Sequence, residues 1–256
     1  MSKGQLRSAH ALLRRKMRIE RGEFLAEGAQ AVREAVRSGA AKLVVVGPDF
    51  ADLNDVLRGA QLPLALGTAE QLRELSDAVT PQGIVAICDW QPSALADLDQ
   101  PNLIAICAQI RDPGNLGTVI RCADAFGADA VIVTKDSVDV TNPKTVRASV
   151  GSIFHLPVIT EIDFNEAIHW AAGQGLRTCA TQMHGSPLTQ LALEEPTAWV
   201  FGNEAWGLPA EHIAACDQTV SIPMWGQAES LNLSTAAAIC LFTSAAAQRR
   251  ERGQFC

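Results

Sequence analysis

The stretch LIAICAQIRDPGNLGTVIRCADAFGADAVIVT, residues 103–134, decides the fold. It begins with an apolar run, Leu103 to Ala108, and ends in a β-branched one, Ala130 to Thr134. Between them Leu116, Val119, Ile120, Ala123 and Phe126 recur at three- and four-residue steps, the spacing of a helix buried on one face. This predicts strand, helix over 116–126, strand: the crossover unit that joins two parallel strands. Downstream the alternation continues with a helix over 144–150, strand 154–159, helix 165–173 and strands 176–181 and 198–201. A helix near Ala210, strand 218–222 and an alanine-rich helix over 233–249 complete it. Such a series predicts a mostly parallel sheet covered on both faces.

Upstream lies a second, smaller α/β series. Leu6, Ala9, Leu12, Leu13 and Met17 predict one helix over 5–19. A strand over 23–26, a helix opened by Gly28 and ended at Ser38-Gly39, strand 42–46, a helix over 52–58, an apolar segment 62–66, a helix over 68–76 and strand 83–88 follow. Residues 89–101, DWQPSALADLDQP, are acidic and proline-punctuated and read as a linker. The expected class is α/β with two domains, 1–88 and 102–256.

Composition narrows the function. The chain has 256 residues, is 48% hydrophobic and carries a net charge of −7. It has no run of about 18 uncharged apolar residues and no secretory signal at its start, so the expectation is a cytoplasmic protein with no membrane partner. Its seven cysteines are scattered and never form C-x-x-C, and its five histidines lack ligand spacing, so reduced core thiols and no metal are expected. The charge is uneven. The first 21 residues hold seven Lys or Arg against one acid, Glu20. Such an arm on an acidic body suits a polyanion, with Arg14, Arg15, Lys16 and Arg18 as candidate phosphate contacts, although a solvated helix face has the same composition.

Three segments carry candidate chemistry. In 111–127 a turn built from Pro113 and Gly114 opens the helix, and the face Gly114, Gly117, Thr118, Arg121 leaves open backbone under one guanidinium, a setting for an anion, with Asn115 as a further polar group. A helix packed closely through glycine reads the same way. In WVFGNEAWGLP, residues 199–209, Gly202 and Gly207 bracket Asn203 and Glu204 at a strand end; an ordinary glycine turn is the alternative. In 221–242, SIPMWGQAESLNLSTAAAICLF, a strand loops through Gly226 into a helix capped by Ser230 or Asn232. The G-x-G-x-x-G dinucleotide fingerprint is absent.

Together these segments resemble, in the same order, the three motifs of SpoU/TrmH-type RNA ribose 2′-O-methyltransferases of the SPOUT superfamily. The matching residues are Asn115, Gly117 and Arg121, then Gly202 to Leu208, then Ile222 to Asn232. Residues 1–88 resemble the substrate-binding domain of members acting on large-subunit ribosomal RNA, a small α/β fold like that of ribosomal proteins that bind kinked RNA. The resemblance implies a C-terminal trefoil knot, S-adenosylmethionine as cofactor, and a homodimer. It implies Arg121 as the catalytic residue, aided by Asn115, Glu204, Ser230 and Asn232. The cofactor is implied to rest near Thr181, Gly202, Ile222, Met224, Gly226 and Leu231. The implied reaction is methylation of a ribose 2′-hydroxyl in structured RNA, 23S ribosomal RNA first. Transfer RNA, or a non-catalytic RNA-binding assembly factor, is the alternative. Ala205 departs from the glycine of many relatives, which bears on that loop's shape. Trp206 and Trp225, in motif loops, are candidates for stacking on RNA or for plain hydrophobic anchoring.

Overall fold

A computed structural model describes residues 1–48, 50, 56–57 and 61–253. The helix expected over 52–58 lies largely outside the described residues. In chain order the elements are α1 (Lys3–Ala11), α2 (Arg15–Arg21), β1 (Glu23–Glu27), α3 (Ala29–Arg37), β2 (Ala41–Val46), β3 (Leu64–Leu66), α4 (Ala69–Glu74) and β4 (Ile84–Asp89). There follow β5 (Leu103–Cys107), α5 (Pro113–Phe126), β6 (Ala130–Thr134), α6 (Pro143–Ser149), β7 (Val158–Ile162), α7 (Phe164–Gly173), β8 (Arg177–Pro187), β9 (Thr197–Phe201), α8 (Ala210–Ala214), β10 (Gln218–Ser221) and α9 (Leu233–Glu251). Two compact units result: Met1–Gln91 with Asp139–His155, and Pro92–Val138 with Leu156–Cys256.

In the first unit the sheet order is β1-β4-β2-β3, antiparallel except for the β2–β3 pair. Ala9, Leu12, Leu25, Val45, Leu72, Leu75 and Val85 form its core beneath α1 and α4. Both helices open on capping boxes, Ser2 with Gln5 and Thr68 with Gln71, in each of which the two side-chain oxygens accept two backbone N–H groups that the first turn leaves free. The single helix expected over 5–19 is broken at Leu12–Arg14 into α1 and α2. The cause is Arg18, which is buried and donates from Nη1 to the carbonyls of Leu12 (3.0 Å) and Leu13 (2.9 Å). Its Nε and Nη2 bind Asp139 Oδ2 at 3.0 and 2.6 Å. Gly22, left-handed at φ 60°, then stops α2, as glycine permits without strain.

Residues 139–155 fall in sequence within the second α/β series, but they pack in the first unit. Phe154 stacks on Phe24 at 5.8 Å, Arg147 reaches Glu27 at 3.4 Å, and His155 Nε2 meets Glu34 Oε2 at 3.3 Å. Phe154 therefore sits in a 3-10 turn, Ser152–Phe154, and the strand expected from 154 starts at Val158.

The second unit holds a fully parallel sheet in the order β10-β8-β9-β5-β6-β7. Every residue of β5, β6 and β9 is buried, as strands covered on both faces must be. The segment read as a linker is partly used here: Leu95 and Leu98, around a 3-10 turn, pack against the core, while Asp89 belongs to β4. Trp199, wholly buried on β9, donates its indole N–H to Ser244 Oγ of α9 at 2.9 Å, the partner a buried indole needs. Phe242 of α9 meets Phe126 of α5 edge-on at 5.5 Å. Residues 222–232 thus lead from the edge strand β10 back to the middle of the unit, the part of the chain in which the trefoil knot is expected.

Candidate active site

β5 lies between β6 and β9, so the chain leaves β5 on one side and returns on the other. The loop after β9 is tied there to the loop after β5 by hydrogen bonds and, with the segments after β8 and β10, walls a cavity at the carboxyl ends of the strands, where parallel α/β sheets bind ligands. Asp112 caps α5, its Oδ1 accepting Asn115 N at 2.8 Å, and Pro113 occupies the first helical position, where its missing N–H costs nothing. The helix therefore starts three residues earlier than its apolar period indicates.

The loop after β9 is closed by reciprocal backbone bonds between Asn203 and Gly207, 3.0 and 2.9 Å. A Cβ on Gly202 would stand 2.5 Å from the carbonyl carbon of Gly207, so only glycine fits. Ala205 is not at positive φ; it donates its N–H to Asn203 Oδ1 at 2.8 Å, so the departure from glycine costs the loop nothing.

Glu204 ties this loop to the other two. Its carboxylate accepts the backbone N–H groups of Arg111 and Asp112, both at 3.1 Å, and the Asn115 side-chain amide at 3.2 Å. Asn115 Oδ1 in turn accepts Asn232 Nδ2 at 3.0 Å. Asn232, not Ser230, caps α9, its Oδ1 taking Ser234 N at 2.9 Å and Thr235 N at 3.4 Å. Three segments far apart in sequence thus share one polar chain. Beneath it the Cys107 thiol is pushed up to about 12, first by burial and then by the charge of Glu204.

Beside this chain is a cavity of about 480 Å³. Of the expected residues, Thr181, Gly202, Glu204, Ile222, Met224, Ser230 and Leu231 line it. Gly226, Asn115 and Asn232 are not in its wall; Asn115 is hydrogen-bonded to Glu204, and Asn232 to Asn115. Arg121 is exposed on α5, two turns beyond the cap. Gln182, Met183, His184, Val220, Leu233 and Ala236 also line the cavity, and none of them is singled out from the sequence. The first three reach the wall because β8 pairs Ala180 with Thr219 but Ser186 with Val220, so residues 181–185 bulge out of the ladder. The only local sign is a change from apolar LRTCA to polar TQMHGS.

In the first unit, Arg14, Arg15 and Lys16 are exposed, as a phosphate contact requires. Arg18 is not: its guanidinium is held by Asp139, Thr141 and two backbone carbonyls, which corrects its assignment as an RNA contact. Among the described residues no cluster of His, Cys, Asp or Glu could hold a metal ion, and no helix is long and apolar enough to cross a membrane.

The sequence profile of the SpoU rRNA Methylase family matches residues 102–242, and that of the MRM3-like substrate binding domain matches residues 3–86. The chain is 34% identical over 230 residues to the 23S rRNA (guanosine(2553)-2'-O)-methyltransferase RlmP of Bacillus subtilis, covering 89% of this chain and 90% of that one. The SpoU methyltransferase AviRb from Streptomyces viridochromogenes, solved with AdoMet, superposes with a TM-score of 0.87 at 29% identity over 98% of both chains. An AdoMet-bound rRNA methyltransferase from Sinorhizobium meliloti gives 0.82 at 32% identity, over 97% and 95%.

Proposed function

Because the chain belongs to the SpoU rRNA methylase family, we propose that it transfers a methyl group from S-adenosylmethionine to a ribose 2′-hydroxyl of large-subunit ribosomal RNA. The observation that carries this reading is the Glu204–Asn115–Asn232 chain, which joins all three motif segments beside one cavity. A module that only bound RNA would have no need of it. Support for 23S ribosomal RNA over transfer RNA comes from the match of residues 3–86 to a substrate-binding domain and from the near full-length likeness to RlmP.

The cavity fits the cofactor. Ile222, Met224, Leu231 and Leu233 give it apolar walls, Thr181 and Glu204 a few polar points, and about 480 Å³ is within the usual range of roughly 300–1,000 Å³ for small-molecule sites. When bound there, S-adenosylmethionine supplies a sulfonium methyl, whose transfer to oxygen disperses charge and is favoured where water is excluded. The protein's part is alignment. Arg121, always charged and a planar double donor, grips a phosphate of the substrate and sets the ribose beside the cavity. A guanidinium does not accept a proton at neutral pH, so the hydroxyl proton leaves to that phosphate or to water. Glu204 accepts three N–H groups, which commits its carboxylate to holding the loops. Ser230 lines the cavity and orients the ribose.

The reading extends to the exposed Arg14, Arg15 and Lys16, which neutralise RNA phosphates, and to a homodimer through α5 and α9, where Phe242 stays 55% exposed beside Phe126. A cytoplasmic location, where ribosomal RNA and reduced thiols coexist, belongs to it as well. The test is methyl transfer from labelled S-adenosylmethionine to ribosomal RNA, with the product located by resistance of one phosphodiester to alkaline hydrolysis. Label on a base, or no label on any RNA, sinks the proposal.

A further inference from the structure

We infer that Trp206 and Trp225 form a stacking surface for unpaired nucleobases of the RNA substrate, an inference that rests on the RNA-methyltransferase reading above. The chain has five tryptophans and no tyrosine. Trp199 is wholly buried, and Trp90 and Trp170 are partly buried. Trp206 and Trp225 are instead 60% and 89% exposed. Trp206 is part of the cavity wall, and Trp225 lies outside that wall, next in sequence to Met224, which lines it. Met183, 61% exposed, adds a third apolar side chain to the same wall. An indole left in water forgoes the burial of roughly 200 Å² that a core position would provide, and neither side chain serves the fold as Trp199 does.

The occupant follows from chemistry. A ribose 2′-hydroxyl reaches a buried methyl donor only if its nucleotide is drawn out of any helix, and an unstacked base exposes two apolar faces. An aromatic side chain replaces the lost stacking whatever the base, which suits rings that offer the pocket side little hydrogen-bonding capacity. The arrangement also divides labour with Arg121 and the basic arm: charge holds the backbone, and neutral rings hold the bases. Trp206, in the wall, takes the target nucleotide, and Trp225, farther out, a neighbouring one.

The experiment compares Trp206→Ala, Trp225→Ala and the corresponding Phe variants with wild type. At saturating S-adenosylmethionine each alanine variant raises KM for ribosomal RNA at least about fivefold, the low end for loss of one stacked base, while Phe restores most of it. Trp225→Ala leaves S-adenosylmethionine affinity unchanged. Because the lost contact is neutral, the slope of log RNA affinity against log salt stays at the wild-type value. An unchanged KM in both alanine variants overturns the inference, as does a loss accompanied by a change in sedimentation, which would make the rings a surface for a second copy of the chain. Quenching of indole fluorescence by single-stranded oligoribonucleotides needs no turnover. If wild type methylates no RNA, that titration still decides the stacking surface: quenching lost in both alanine variants supports it, and no quenching of wild type overturns it.

Discussion

Glu204 Oε1 accepts the side-chain amide of Asn115 at 3.2 Å, and through that contact the loop after β9 holds the first turn of α5. The same carboxylate takes the N–H groups of Arg111 and Asp112, so one side chain positions an entire motif.

Replacing Glu204 with Gln keeps the shape but removes the charge and turns one of its two oxygens into an NH2 that faces the Arg111 N–H or the Asp112 and Asn115 donors. Hydrogen bonds to a charged group contribute about 1.5–3 kcal/mol each, so the loop should loosen and kcat fall by at least about tenfold. Single-turnover methyl transfer reads this. A near-normal rate would leave Glu204 with no positioning role.

Arg121→Ala should abolish transfer and leave S-adenosylmethionine affinity within about twofold, because Arg121 lies outside the cavity wall. Arg121→Lys should fail too, since an ammonium cannot reproduce the planar fork. Calorimetric titration beside an activity assay separates cofactor binding from transfer.

The basic arm divides into two predictions. Changing Arg14, Arg15 and Lys16 together to Gln should lower the slope of log affinity against log salt by roughly 2, at about 0.7 per phosphate contact, with the secondary structure retained by circular dichroism. Arg18→Gln should do the opposite. It strands Asp139 and two helix-end carbonyls, a loss of about 3–5 kcal/mol for a broken buried pair, seen in denaturant unfolding.

Phe242→Asp should produce a 27.3 kDa monomer in sedimentation if α5 and α9 form the dimer surface. A wild-type protein that is already monomeric at micromolar concentration would remove the dimer from the proposed function.

His212 stacks on Phe164 at 3.7 Å, and its Nδ1 is buried without a partner. Burial lowers its pKa below the usual 6.5, so the folded state resists protonation that the unfolded chain accepts. Its contribution to stability is present above 6.5 and is lost as pH falls toward the lower folded value. His212→Phe should flatten that part of the pH profile, and identical acid profiles for the two proteins would show the stacked ring carries no such linkage.

The sequence by itself determined what is local. The 3.6-residue period of Leu116 to Phe126 placed α5, the β-branched runs placed β5, β6 and β9, and the order of the three motif segments pointed to the family and to seven of the residues that line the cavity. Periodicity and capping act over a few residues, so a linear reading reaches them. Tertiary structure decided the rest. Nothing near Arg18 in sequence shows that it turns inward, because its partner Asp139 is 121 residues away. The docking of 139–155 in the first unit, the bulge that brings Gln182 to His184 to the cavity, and the meeting of Asn115 with Asn232 across 117 residues are likewise set by strand order and register. Those depend on which apolar faces bury one another and which buried polar groups find partners, and both are properties of the assembled chain.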